Sequence, residues 1–213
     1  MAAITDAYAS AAEYRDRVGK TGHSDDDATI LLQLKAVSRY IERELAGRFF
    51  NVDASDVTRR YRAGDRGGVP LGGRKVLTID DLSADPTSIK IDKDDDGLFS
   101  DETALASTDY FLIPRNAPLG PEAEPYLAIE LTPWGDEVTW PEGVWVEVIG
   151  KFGWPAVPEA IKQGTIDITG ILRRDTDLAT NRIVDDLVGA IEASPQSRAL
   201  VKGLSKSYYR WGF

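Results

Sequence analysis

A chain of 213 residues with no cysteine and one histidine, His23, excludes disulfides, thiolate metal sites and thiol nucleophiles, and leaves little room for imidazole chemistry. Its 25 basic and 35 acidic side chains give a formal charge of -10, which excludes the basic footprint of a DNA-binding domain. No apolar run approaches the ~20 residues that cross a bilayer, and the opening Met1 to Asp6 lacks the basic-then-apolar order of a signal peptide. A soluble globular product made in the cytoplasm is the expectation.

Residues 6 to 18 read as a short helix capped by Asp6 and stopped by Gly19. A longer helix follows. Ser24 is its expected cap, Asp25, Asp26 and Asp27 complement the positive end of its dipole, and Ile30, Leu34, Val37, Ile41 and Leu45 form one apolar stripe ending at Gly47. From about Asp56 to Phe152 the period falls to two. Strands are expected at Val57 to Tyr61, Val76 to Ile79, Ser88 to Ile91, Tyr110 to Ile113, Tyr126 to Leu131 and Val144 to Ile149. Gly64 to Gly73 and Arg115 to Pro125 read as exposed loops, and the glycines of the first lack the Gly-Lys-Ser/Thr of a phosphate-binding loop.

The passage from strand to helix after Val144 is the most informative junction. Val144, Val146 and Val148 alternate with Trp145, Glu147 and Ile149. Gly153, Pro155 and Pro158 then end strand pairing and start a helix, with Phe152 and Trp154 between them and Trp154 expected as a buried pin. Ile161, Thr165, Ile168 and Leu172 give that helix its apolar stripe, and Gly164 and Gly170 allow a neighbour close approach. It is expected to pack on the helix of residues 25 to 46. A polar stretch, Arg173 to Asp177, ends it, and Ile183 to Ile191 reads equally as short helix or extended segment. Ser194 and Pro195 then open a last helix whose stripe is Val201, Leu204, Tyr208 and Trp211. The fold class is α+β: an α-helical bundle with an inserted β-rich subdomain and a C-terminal helical arm. Its segments are residues 1–55 (bundle), 56–153 (β insertion), 154–180 (bundle) and 181–213 (arm).

Two clusters carry candidate chemistry. Asp92, Asp94 and Asp96, followed by Gly97 and Leu98, begin like a calcium loop, but position twelve is Thr103, and Glu102 falls one place early. The flanking segments read as strands, so an acidic hairpin turn competes with calcium bound in another geometry. In the last helix Arg198, Lys202, Lys206 and Arg210 recur every four residues as a cationic ridge beside Tyr208, Tyr209, Trp211 and Phe213. These suit a docking arm with aromatic anchors and orienting cations. The competing reading is that the cations complement the helix's negative pole while the aromatics fold back on the core. His23 has no partner spaced to recruit it, and no acid–base pair stands out, so no enzyme is expected and no catalytic residue is named.

Three runs together resemble the head-tail connector, or adaptor, proteins of tailed bacteriophages that bind beneath the portal ring. They are the early Tyr8 to Val18 helix, the long helix ending Tyr40-Ile41-Glu42-Arg43-Glu44-Leu45-Ala46-Gly47-Arg48-Phe49-Phe50, and Phe152-Gly153-Trp154-Pro155-Ala156-Val157-Pro158-Glu159-Ala160-Ile161-Lys162 leading into a helix ending Leu172-Arg173-Arg174. The β insertion is longer than the simplest members carry. The resemblance implies a structural protein of the virion, placed at the head-tail interface and assembled in the host cytoplasm. Its partners would be the portal protein, further copies of itself in a ring, and a tail or stopper protein, with DNA passing through the channel unbound and no membrane involved. It also implies that Lys202, Lys206, Tyr208, Tyr209, Arg210 and Trp211 face the portal. No cofactor is implied; a calcium-dependent β-rich binding module is the alternative.

Overall fold

The computed structural model describes residues 7–19, 26–45, 50–64, 76–117, 123–175 and 194–208. Two compact units divide the chain: a helical unit running up to Phe50 and resuming at Val157, and a β unit from Asn51 to Ala156. The chain is therefore α+β, with the sheets held between two helical stretches in sequence.

In the helical unit, α1 (Ala11–Val18) starts later than the acidic Asp6 predicts, and Asp6 lies outside the described residues. Ser10 is the cap. Its hydroxyl accepts from the Glu13 amide at 3.2 Å while the Glu13 carboxylate accepts from the Ser10 amide at 2.8 Å, a reciprocal box that fixes the helix start. Gly19 ends the helix in the left-handed conformation, φ 70°. α2 (Asp27–Glu44) buries Ile30, Leu34, Val37 and Ile41 as the spacing predicts, with Leu45 buried just beyond. The expected cap Ser24, together with Asp25, His23 and the stop Gly47, lies outside the described residues. Asp26 occupies the cap position without a side-chain cap bond; its carboxylate binds Arg173 instead.

α3 (Glu159–Asp175) buries Ile161, Thr165, Ile168 and Leu172, and packs on both α1 and α2. Ile166 joins Ala9, Tyr14, Ile30 and Leu34 in one apolar cluster. Arg173 donates to Gln33 Oε1 at 2.8 Å, tying the end of α3 to α2. α4 (Pro195–Tyr208) opens on Ser194, whose hydroxyl accepts from the Ser197 amide at 3.3 Å. α4 lies so close to α3 that a Cβ on Gly164 would fall 2.8 Å from Leu204 Cδ1. This helix, expected as a docking arm with Val201, Leu204 and Tyr208 in its stripe, packs against α3 through Leu204 and buries Val201 and Tyr208. Residues 183–191, left open by the sequence, lie outside the described residues.

The β unit holds two three-stranded antiparallel sheets. One has the order β1-β6-β3, formed by β1 (Val57–Arg62), β6 (Trp145–Gly150) and β3 (Ser88–Ile91). The other has the order β2-β5-β4, formed by β2 (Val76–Leu82), β5 (Tyr126–Leu131) and β4 (Tyr110–Ile113). Val57 lies opposite Gly150 and Ile89 opposite Val148, so the inward residues of the first sheet are Tyr61, Ile89, Ile91, Val146 and Val148. They share one core with Ile79, Leu82, Ile129, Leu131 and Trp140. Trp140 satisfies its indole by donating to the Ile129 carbonyl at 3.2 Å. The exposed-loop expectations fall mostly on residues 65–73 and 118–122, outside the described residues.

Candidate functional site

The junction predicted from sequence is a built structure. Phe152 bridges to Leu82, and its amide faces Asp53 Oδ2 at 3.3 Å while its carbonyl accepts from the Asp53 amide at 2.8 Å. The Arg59 guanidinium lies 4.2 Å from the Phe152 ring centroid and 2.9 Å from Asp80 Oδ2, so one cation covers an aromatic face and neutralises an acid. Gly153 has φ 110° and gives its amide to the Asp81 carbonyl at 2.7 Å. A Cβ there would stand 1.9 Å from the Asn51 carbonyl oxygen, so only glycine fits. Trp154 is 3% exposed, and its indole donates to Asp81 Oδ2 at 3.1 Å. Trp154 is the expected pin, but it pins the end of the β unit and not the bundle, because its partner sits on β2. Pro155 follows in the β unit. The Pro158 carbonyl accepts from the Lys162 amide at 3.0 Å, the first turn bond of α3.

Sequence distance alone could not say whether the acids of residues 92–102 converge; three of them do. Asp92, Asp94 and Asp96 each offer a carboxylate oxygen within 4.8 Å of the others, Asp92 buried and the other two exposed. The Asp92 carboxylate is also a structural cap. It accepts from the Asp96 amide at 3.2 Å and the Gly97 amide at 3.0 Å, holding the turn between β3 and β4. Glu102 accepts from the Lys93 amide at 2.6 Å.

On α4 the side chains of Arg198, Lys202 and Lys206 are exposed along one face. Tyr208, named with them as a docking anchor, is 8% exposed and meets the Phe50 ring edge-to-face at 5.6 Å. For this aromatic the folding-back alternative is the one observed, because burial inside the unit offers more apolar contact than a solvated surface. Tyr209, Arg210, Trp211 and Phe213 lie outside the described residues.

A polar network that sequence reading missed closes the helical unit. Phe50 also stacks edge-to-face on Tyr8 at 5.6 Å, and the Phe50 amide donates to the Tyr8 hydroxyl at 3.1 Å. The Tyr8 hydroxyl in turn donates to Glu42, which pairs with Arg39 at 2.8 Å. The Tyr8 amide donates to Ser38 Oγ at 3.0 Å. Burial raises the Glu42 carboxyl above its ordinary range, against the opposing pull of Tyr8 and Arg39. Burial raises the Tyr8 phenol as well, and the Glu42 charge adds to it. A tyrosine near the start of a chain and a glutamate on the buried stripe of a helix give no sequence signal that they meet; the Ser10-x-x-Glu13 box beside them was readable.

No family model matches the chain, and no curated protein matches it. Chains in several solved structures are similar, among them two from gene transfer agent particles. One is a chain in the neck of an empty gene transfer agent particle computed with C6 symmetry, 20% identical, covering 91% of this chain and 87% of that one with a TM-score of 0.48. The other is a chain in the virion of a native gene transfer agent particle, 19% identical, with the same coverage of 91% and 87% and a TM-score of 0.44.

Proposed function

We propose that this chain is a non-enzymatic structural connector of a phage-like particle, forming a ring beneath a portal, extending the DNA channel and offering a surface to the next tail or stopper protein. One observation carries the reading. The runs that resemble connector proteins stand at opposite ends of the sequence, and their helices α1, α2 and α3 pack into one unit with the β unit between them in the chain. The exposed Arg198, Lys202 and Lys206 supply cations for orienting a portal contact, with Tyr208 keeping α4 seated. An overall charge of -10 suits a channel through which DNA slides without the salt-bridged phosphate contacts that would hold it.

Co-purification with a portal protein and negative-stain imaging of the product test the reading. A ring on the portal is expected, and a chain that stays monomeric and ignores the portal rejects it. Removing residues 196 to 213 would take buried Val201 and Tyr208 away, so the contact is tested by reversing Arg198, Lys202 and Lys206 to glutamate in the full chain. Undiminished portal binding refutes the docking role. The converging oxygens of Asp92, Asp94 and Asp96 favour a second reading, calcium binding by the β unit. Calorimetry with calcium alone decides it, and the absence of heat removes it.

A further inference from the structure

Trp134 is the most exposed of the large apolar side chains among the described residues, at 71%. It is nonetheless held in place. Its ring meets Phe111 edge-to-face at 6.0 Å, and Phe111 is backed by the Arg115 guanidinium 3.6 Å from its centroid. The turn beneath it is tight. A Cβ on Gly135 would lie 3.1 Å from Asp109 Cβ, and the Thr132 amide donates to the Asp109 carbonyl at 2.8 Å. Acids flank the ring: Asp136 is exposed, and Glu137 is fixed by Lys93 at 2.6 Å. An indole left mostly in water and resting on Phe111 has the character of an interface anchor.

The helical unit carries a cavity of about 710 Å³ of complementary character. Tyr14, Ile166 and Ile171 give it apolar walls, Gly170 leaves space in α3, and Val18 stands half-exposed at the rim. Arg17 and Arg173 are its cations and Asp167 its acid; Arg17 is 57% exposed and pairs with Asp167 at 3.4 Å. The size admits an indole with its flanking turn.

We propose that copies of this chain associate head to tail, the Trp134 turn of one copy entering the α1–α3 cavity of the next with Asp136 against Arg17 of the neighbouring copy. The two surfaces differ in shape, one offering the exposed Asp136 and the other the exposed Arg17, so the contact is heterologous and each copy keeps one of each, the condition for a closed ring or an open filament. The inference rests on the ring reading above and names the contact that builds it.

Light scattering behind size exclusion, over a dilution series of the full chain, tests it. The wild type is expected to exceed 23.4 kDa as concentration rises. Trp134→Ala, a change at an exposed site, is expected to keep the wild-type circular dichroism and elute as monomer. Asp136→Arg and Arg17→Glu each are expected to weaken association by about tenfold or more, and combining both in one chain to restore it, since every contact then pairs a reversed knob with a reversed rim. Assembly of Trp134→Ala at wild-type concentrations overturns this contact and leaves the ring reading standing. Failure of the double variant to recover overturns the Asp136–Arg17 pairing. A wild type monomeric at every concentration overturns the contact, and portal co-purification then judges the connector reading separately.

Discussion

The two units are closed by different means. Among the described residues the β unit is one continuous stretch of chain, and its registry comes from backbone ladders between strands over a shared apolar core. The helical unit is assembled from two stretches about a hundred residues apart, and side chains close it: the rings of Tyr8, Phe50 and Tyr208, the buried Glu42, and Arg173 on Gln33. A unit held by ladders should lose most when its backbone is forced. A unit held by a network should lose most when one polar partner is withdrawn.

The largest expected effect is therefore at Gly153. Gly153→Ala drives a Cβ into the Asn51 carbonyl and imposes a left-handed φ on alanine, and a loss of about 5 kcal/mol or more is expected in urea unfolding. The comparison is sharpened if the variant loses near-ultraviolet tryptophan signal while ellipticity at the helical minimum persists; equal loss of both would show the units to be one cooperative body. Next is Trp154. Trp154→Ala is expected to cost about 3–5 kcal/mol, and Trp154→Phe, which keeps most of the ring but removes the donor to Asp81, about 1–2 kcal/mol.

In the helical unit, Tyr8→Phe withdraws a donor from Glu42 and an acceptor from the Phe50 amide, and about 1–2 kcal/mol should be lost. The pH dependence tests the same network. Glu42 has a folded-state value above its unfolded one, so the folded chain holds that proton more tightly. Its ionised form lowers stability near neutrality, and the loss is recovered as pH falls through the folded value. Glu13 behaves oppositely. The Ser10 amide, foremost, and Lys162 lower its value, so its contribution is present above the ordinary carboxylate range and is lost as pH falls through the lowered value. Glu42→Gln should flatten the first slope and leave the second, read as urea midpoints between neutral pH and the carboxylate range. The smallest effect is at Gly203, exposed within α4 with no heavy atom within 4 Å of a built Cβ. Gly203→Ala should stabilise the helix by about 0.5–1 kcal/mol.

What was legible followed from period and punctuation. Ser88–Ile91, Tyr110–Ile113 and Tyr126–Leu131 fall where alternation put them, and the stripes of α2 and α3 are buried as spaced. The Ser194–Pro195 opening of α4 is where capping chemistry placed it. Pairing was not legible, because alternation says which face a residue takes and not which strand lies beside it; β6 joins β1 and β3, neither of them its neighbour in sequence. The start of α1 was missed because Asp6 drew attention from the reciprocal box four residues on. At the candidate sites, the burial of Trp154 and the convergence of the three aspartates were anticipated or posed as questions by the sequence. The inward turn of Tyr208 was one of two readings the sequence posed, and the exposure of Trp134 was in neither, since the same aromatic residue serves a core or an interface and only its surroundings decide.

The meeting of Asn51 with Gly153 has a further consequence. The Asp53 amide already reaches the Phe152 carbonyl at 2.8 Å, so the β unit enters and leaves its own fold at a single doorway. A stretch with adjoining ends behaves as a cassette. Residues 51–156 produced alone are expected to fold, and the stretch is expected to accept exchange for a counterpart of another length. A lineage could lengthen or trim it without rewriting the helices on either side.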